Sequence, residues 1–273
     1  MAHLFNYGGT RLMCGIGGIA YKPGAPPVGQ DVLNRMAAAL RHRGPDGAHF
    51  ASLPHADLIH TRLSIIDIAG GDQPLSAGTG TLIANGEIYN DPQIRQQIGA
   101  KHFKTGSDCE SPLLLWARTG TTYTATLRGM YAIALYESTH DELLLSRDPF
   151  GIKPLYFTEF SGGIAFASEP EALLAANLAP RTLNPTARTE LLQLQFTTGR
   201  ETIFAGIQRV LPGETLRIVH GSVVERHYQA ALPQTPRPLP PLSVEQALEQ
   251  LDHALMNSVQ AHERADVPFG LFL

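Results

Sequence analysis

The sequence predicts an α+β fold in which antiparallel sheets are covered by helices, and three observations carry that prediction. From Met130 onward the apolar segments 131–136, 143–146, 155–160 and 163–167 are short and closely spaced, an antiparallel signature. Helical patterns stand in groups beside these strands and do not alternate with them, which argues against βαβ units. No internal repeat is evident, so neither a solenoid nor a propeller is indicated.

Taken in order, residues 15–21 read as a short buried strand. Residues 31–41 fit a helix: Asp31 is placed to cap it, and Leu33, Met36, Ala37 and Leu40 recur at helical spacing. Residues 82–84 form a strand that delivers Asn85-Gly86 into a turn, since Asn-Gly is the strongest two-residue turn signal. Asp91-Pro92 opens the next helix, with Pro92 where its missing N–H costs little. Ser111-Pro112 repeats the device, and Gly120 stops the helix it begins. Further helices are expected over 171–177 and 186–195, and a hairpin around His220-Gly221 joins 215–219 to 222–225. Residues 232–241 carry five prolines in ten positions, a semi-rigid linker. Ser243-Val244-Glu245-Gln246 then has the form of a capping box, ahead of an apolar stripe of Val244, Leu248, Leu251, Leu255 and Val259. Residues 267–273 read as a buried strand. One helix and one strand cannot bury their own apolar faces, so this last segment looks like the opening of another domain. The isolated chain is expected to aggregate through that uncovered helix.

Bulk properties narrow the function classes. A chain of 273 residues holds one large domain plus part of another, and a net charge of −4 leaves no broad basic field for nucleic acid. No apolar segment approaches the ~20 residues of a membrane span, and Met1–Met13 lacks the apolar run of a secretory signal. Two cysteines do not make a disulfide framework, so a reduced, cytoplasmic protein is expected. No metal spacing occurs among the eleven histidines, His253 and His262 being too far apart to share a ligand face. Gly15-Ile16-Gly17-Gly18 lacks the GxGxxG spacing of a nucleotide loop.

The chemistry-bearing feature is Cys14, directly after Met13. Were Cys14 the first residue of a mature chain, its thiol (normally near ~8.5) would lie beside an α-amine (near ~7.7–8.0) able to act as its base. The competing reading is a small buried hydrophobe in a glycine-rich strand. Five further motifs follow: Arg41-His42-Arg43-Gly44-Pro45-Asp46-Gly47, His60-Thr61-Arg62-Leu63-Ser64-Ile65-Ile66-Asp67, Asn85-Gly86-Glu87-Ile88-Tyr89-Asn90, Thr105-Gly106-Ser107-Asp108-Cys109-Glu110, and Ser146-Arg147-Asp148-Pro149-Phe150-Gly151-Ile152-Lys153-Pro154-Leu155-Tyr156. In this order and spacing the set resembles the glutaminase domain of the glutamine-hydrolysing asparagine synthetases, which are class II (N-terminal nucleophile) glutamine amidotransferases. The resemblance runs from Cys14 to about Leu273.

The resemblance implies a four-layer αββα sandwich over residues 14–211, a hairpin and linker over 212–242, and the first helix and strand of an α/β ATP-pyrophosphatase domain over 243–273. Residues 1–13 would be a mis-assigned start or a propeptide; otherwise the domain is a non-hydrolysing relic. The chain stops just before the point where the family carries a Ser-Gly-Gly-x-Asp-Ser pyrophosphate loop, so a continuation of that kind is expected, with Leu273 at the edge of the ATP site. By the same carry-over, Cys14 is the nucleophile and Asn85 with Gly86 forms the oxyanion hole. Arg62, Leu63, Ser64, Ile65, Ile66, Glu87 and Asp108 complete the glutamine pocket, Arg62 for the carboxylate and Asp108 for the ammonium. Arg62 as an ordinary surface arginine, and Asp108 as a cap of the turn before Ser111, remain alternatives. The 41–46 segment is read as a charged helix end without a chemical step, 148–151 as a structural turn, and Cys109 as an ordinary thiol. The glutaminase step needs no cofactor; ATP, Mg²⁺ and aspartate belong to the full-length family enzyme. A non-aspartate acceptor, a non-catalytic glutamine-binding domain and a homodimer stay open.

Overall fold

The computed structural model describes residues 13–232, 242–268 and 270. Along the chain run β1 (Gly15–Tyr21), α1 (Gln30–Leu40), β2 (Gly47–Leu53), β3 (Ala56–Arg62), β4 (Leu75–Ala77) and β5 (Gly80–Ile88). Next come α2 (Asp91–Ile98), α3 (Glu110–Thr119), β6 (Gly129–Glu137), β7 (Glu142–Arg147), β8 (Tyr156–Phe160) and β9 (Gly163–Ala167). The series ends with α4 (Pro170–Ala175), α5 (Pro185–Leu194), β10 (Ile207–Arg209), β11 (Glu214–Val219), β12 (Ser222–Tyr228) and α6 (Val244–His262).

Two six-stranded antiparallel sheets result, ordered β10-β8-β9-β1-β3-β2 and β12-β11-β7-β6-β5-β4. Period-2 alternation builds the layers. On β6, Ala132, Ala134 and Tyr136 point between the sheets with Ile16, Leu58 and Phe166, while Tyr131, Ile133 and Leu135 point the other way, onto Ile94, Ile98 and Leu113 of α2 and α3. On the outer face of the first sheet Ile19, Ile59 and Ala165 meet Leu33, Met36 and Leu40 of α1 and Leu173 of α4. These three apolar interfaces separate four layers, α-β-β-α, and both faces of each central strand are buried. Gly18 lets the layers close: a Cβ there would lie 2.3 Å from the Asp57 carbonyl and 2.7 Å from the Phe166 ring.

Several expectations need correction. Asn85-Gly86 is not a turn. Both residues lie inside β5, opposite Ala132 and Tyr131, and Gly86 is needed there because a Cβ would strike the Met130 carbonyl at 2.3 Å. Asp31 does not cap α1; Gly29 holds that position and Asp31 pairs with Arg35 one turn on. The hairpin grouped with the linker is the edge of the second sheet, where β11 pairs with both β7 and β12. Its anchor is Glu214, fully buried, whose carboxylate takes Arg200 at 2.7 and 2.8 Å and Arg226 at 3.0 Å. Strands β2, β3, β4 and β10 stand where no element was expected. Val267 and Pro268 are not in a strand, and Phe269 with residues 271–273 lies outside the described residues.

The capping box at Ser243 is formed as the sequence indicates. Along α6 the stripe residues Val244, Leu248, Leu251, Leu255 and Val259 are each more than half exposed, so nothing among the described residues covers this face. No helix among them is long and apolar enough to cross a membrane, and no group of three His, Cys, Asp or Glu side chains among them could hold a metal ion.

Candidate active site

The open end of the sandwich holds a cleft where the start of β1, the end of β3 and the middle of β5 converge. Cys14 directly precedes Gly15, which is paired with Thr61, so Cys14 and Arg62 emerge side by side at the mouth. One rung deeper, Ile16 faces His60. The cleft encloses about 130 Å³, roughly ten times the ~10–15 Å³ that a single water needs, which suits a small polar molecule.

The Cys14 thiol is half-buried in the cleft. Its sulfur accepts the Leu63 N–H at 3.3 Å. Burial pushes the thiol up; the Leu63 N–H and the charges of Arg62, Lys153 and Arg43 oppose that rise. The Cys14 carbonyl is held by Arg43 Nε at 3.1 Å. The Asn85 amide satisfies both neighbours when its nitrogen donates to that carbonyl (3.2 Å) and its oxygen accepts from Arg43 Nη2 (3.2 Å). One amide N–H then remains for a ligand. Arg43 also pairs with Glu169 at 2.7 Å, so a buried cation fixes the Cys14 main chain and the Asn85 rotamer together.

Two charged groups share the cleft with the thiol. The buried Arg62 guanidinium donates to the carbonyls of Asp67 (2.6 Å) and Ile68 (3.1 Å) and to the Asp72 carboxylate. Three of its five N–H groups are thereby committed, leaving two for a ligand carboxylate. Asp108 is buried, its carboxylate accepting the Ile88 N–H at 2.6 Å. Burial raises it to about 6, against the pull of that N–H and of Arg264. Glu87 beside it is also raised, by burial and then by Asp108.

Of the residues expected in the pocket, Cys14, Arg62, Leu63, Ile65, Ile66, Asn85, Gly86, Glu87 and Asp108 line this cleft. Ser64 does not, and its N–H is tied to Asp46 at 2.7 Å. Leu273, expected at an ATP edge, lies outside the described residues. Asp108 makes no side-chain cap for α3, whose N-cap is Cys109. Cys109 is buried with its thiol raised well above the ordinary value by burial, and the two cysteines are unbonded.

Sequence reasoning gave no role to Lys153, His60, Gln73 or Met130, which also line the cleft. Lys153 hides behind a turn built by Asp148, whose carboxylate accepts the N–H groups of Phe150, Ile152 and Lys153 at 3.0–3.1 Å. His60 is buried with neither ring nitrogen partnered among the described residues, and burial drives it down to about 3, so it is neutral. Met13 also lines the cleft: its N–H donates to the Arg43 carbonyl at 2.8 Å and its sulfur lies 3.2 Å from Lys153 Nζ.

Residues 13–229 match the family model described as the glutamine amidotransferase domain. Among curated proteins the chain is 34% identical over 270 residues to asparagine synthetase [glutamine-hydrolyzing] 1 of Bacillus subtilis (strain 168), covering 96% of this chain and 42% of that protein. It is 43% identical over 143 residues to asparagine synthetase B [glutamine-hydrolyzing] of Escherichia coli (strain K12), over 51% of this chain and 26% of that one. The chain thus spans less than half the length of these relatives. Among solved structures, the glutamine phosphoribosylpyrophosphate amidotransferase from B. subtilis aligns with a TM-score of 0.55 at 19% identity, over 79% of this chain and 49% of that one, a likeness of fold.

Proposed function

The chain belongs to the glutamine amidotransferase domain family, and from that membership and the cleft we propose that it hydrolyses glutamine to glutamate and ammonia through a thioester on Cys14. The observation that carries the reading is the placement of Arg62 and Asp108 around one thiol. A cation and an anion beside a small cleft match the carboxylate and ammonium of an α-amino acid, and orient its side-chain amide toward the sulfur.

With Cys14 as first residue, its α-amine takes the thiol proton and the sulfur attacks the amide carbon of glutamine. The oxyanion is met by the free Asn85 amide N–H and the Gly86 backbone. The amine returns its proton to the leaving nitrogen, the C–N bond breaks and ammonia departs. Water then adds to the thioester with the same amine as base, the C–S bond breaks, and glutamate and thiol are restored. An amide nitrogen cannot do this work, so the Met13–Cys14 bond has to be cut. Cutting it also removes a side chain that lines the cleft.

Mass determination of the native N-terminus, together with a glutamate-release assay on the chain beginning at Cys14, tests the reading. We expect equal yields of glutamate and ammonia, abolished by Cys14→Ala. Turnover that survives Cys14→Ala, or a native protein that keeps residues 1–13, overturns it. The Met13 N–H bound to the Arg43 carbonyl favours one second reading, a domain that binds glutamine without turnover. In that case calorimetry registers glutamine binding and no ammonia is released.

In the full-length protein the ammonia would be consumed by amidation of aspartate, with ATP and Mg²⁺ activating the acceptor carboxylate when bound. Residues for that half-reaction are not among those described here, and a different acceptor would leave this cleft unchanged. A working free thiol supports a reducing compartment such as the cytoplasm.

A further inference from the structure

Arg62 and Asp108 do not hold themselves in place. Arg62 ends β3 and leads into the loop 63–72, Asp108 ends the segment 104–108, and the two segments meet at Asp67. That residue adopts a left-handed backbone (φ 50°) and commits every polar group it has. Its carboxylate accepts Gly70 N–H at 3.0 Å within its own loop and Gly106 N–H at 2.7 Å from the other. Its carbonyl accepts Arg62 Nη2 at 2.6 Å. The position of Arg62 therefore depends on where Asp67 sits.

The remaining Asp67 group, its N–H, donates across 199 residues of sequence to the Asp266 carboxylate at 2.7 Å. The Asp266 N–H returns a bond to the Ile65 carbonyl at 2.9 Å. Two residues earlier, Arg264 Nη1 lies 2.6 Å from the fully buried Asp91 carboxylate. Asp91 also takes Arg95 Nε at 2.9 and 3.0 Å and the Ser111 hydroxyl at 2.6 Å. Arg95 in turn donates to the carbonyls of Thr105 (3.0 Å) and Ser107 (2.7 Å), the residues leading into Asp108. His262 packs its ring on Tyr89 with centroids 4.4 Å apart. The short segment after α6 thus grips both loops, one through Asp67 and the other through Asp91 and Arg95.

We propose that the segment Arg264–Asp266 is a positioning element of the cleft, holding Arg62 and Asp108 at the spacing of a free α-amino acid's carboxylate and ammonium. This rests on the reading that the cleft takes glutamine. Neither side chain is placed to touch the ligand. Arg264 acts through Asp91 and Asp266 acts through Asp67, and between them they set how well the head group is gripped; the sulfur's partner Leu63 stands at the β3 end of the loop, and Asn85 and Gly86 lie in β5. Substrate affinity in this domain then depends on a strap that follows the linker and α6, well outside the sandwich that contains the chemistry.

The test uses the full chain beginning at Cys14. Asp266→Ala and Arg264→Ala are expected to raise KM for glutamine about tenfold each while kcat stays within about twofold. Asp266→Asn keeps an acceptor for the Asp67 N–H and restores most of the loss, as does Arg264→Lys. Two labels of Cys14 separate gripping from general damage. Inactivation by a diazoketone analogue of glutamine, which has the same α-amino and α-carboxylate groups, slows about tenfold. Alkylation by iodoacetamide, which lacks both, keeps its rate. Glutamine binding to a Cys14→Ser chain by calorimetry weakens in parallel, with no dependence on turnover. Unchanged KM and unchanged binding in both alanine variants overturn the inference, and so does equal slowing of the two labels. If the unsubstituted chain neither binds glutamine nor releases glutamate, the functional reading itself has failed and the inference falls with it.

Discussion

The two walls of the cleft are fixed by different means. On the wall of the first sheet, Cys14 and Arg62 lie at strand ends, held by side chains and loop carbonyls: Arg43 on the Cys14 carbonyl, and the carbonyls of Asp67 and Ile68 on Arg62. On the wall of the second sheet, Asn85 and Gly86 sit in mid-strand, registered against Ala132 and Tyr131 by the β5–β6 ladder. A group in a ladder moves only if the sheet moves, whereas a group on a loop moves with its hydrogen-bond partners. The donors proposed for the oxyanion, for which tenths of an ångström matter most, are thus on the stiffer wall. Asp108 belongs to the second wall in space but to the first in kind, since a loop carries it.

If that contrast is right, damage to the ladder-borne wall appears in kcat and damage to the loop-borne groups appears in KM. The largest effect is expected for Asn85→Ala, a fall in kcat of about 10²–10³-fold with KM changed little, measured by steady-state glutamate release. A KM effect of the same size instead would mean that Asn85 grips the ground state and would erase the contrast. Asp108→Asn is expected next, raising KM about 10–100-fold with a smaller loss in kcat, because a neutral amide cannot balance the substrate ammonium.

Asp108 also gives the comparison a pH signature. Burial holds its carboxyl at about 6, above the ordinary 3.8, so kcat/KM for glutamine should rise with pH through about 6 as the ammonium-binding anion forms. The stability consequence has the opposite sign. Between about 4 and 6 the folded state keeps a proton that the unfolded state has lost, so stability falls as pH rises through this window and the full cost stands above it. Asp108→Asn should therefore make the ligand-free domain more stable at pH 7, on the order of 2 kcal/mol by thermal or urea unfolding. Loss of stability in that variant would mean that the charged form is welcome where it lies. The proposed function would use the form of Asp108 that the fold least favours.

The reactive groups were legible in the sequence and much of their setting was not. Cys14 after Met13 stands out by itself, Arg62 and Asp108 are picked out only by the motifs that carry the resemblance, and Leu33, Met36, Ala37 and Leu40 announce a buried helix face that is indeed buried. Asn85-Gly86 was misjudged because the dipeptide is a strong local turn signal, while its glycine answers a non-local demand, the Met130 carbonyl at 2.3 Å from a would-be Cβ. Strand β3 went unseen because Asp57, His60, Thr61 and Arg62 make it look like surface, yet all seven residues of Ala56–Arg62 are buried. Asp57 is buried there because Tyr21 and Ser52 hydroxyls satisfy its carboxylate at 2.5 and 2.6 Å. The grip of Asp266 on Asp67 spans 199 positions and leaves no periodicity to read.

Lys153 stands at the seam of the two walls and offers the smallest and sharpest test. Burial pushes its ammonium down, while Glu87 on the second wall and Cys14 on the first both pull it back up. It is one of three cations that lower the thiol, after Arg62 and ahead of Arg43. Removing its charge by Lys153→Met should therefore move the pH profile of Cys14 alkylation upward and slow labelling at neutral pH by roughly threefold, an effect muted by added salt. The same substitution removes a charge that lowers Glu87 but none that acts on Asp108, so the acidic limb of kcat/KM should also move upward only if Glu87 contributes to it. If only the thiol limb moves, Lys153 serves the nucleophile's wall. If only the acidic limb moves, it belongs with Glu87 and Asp108, and the positive field on the sulfur comes from Arg62 and Arg43 alone.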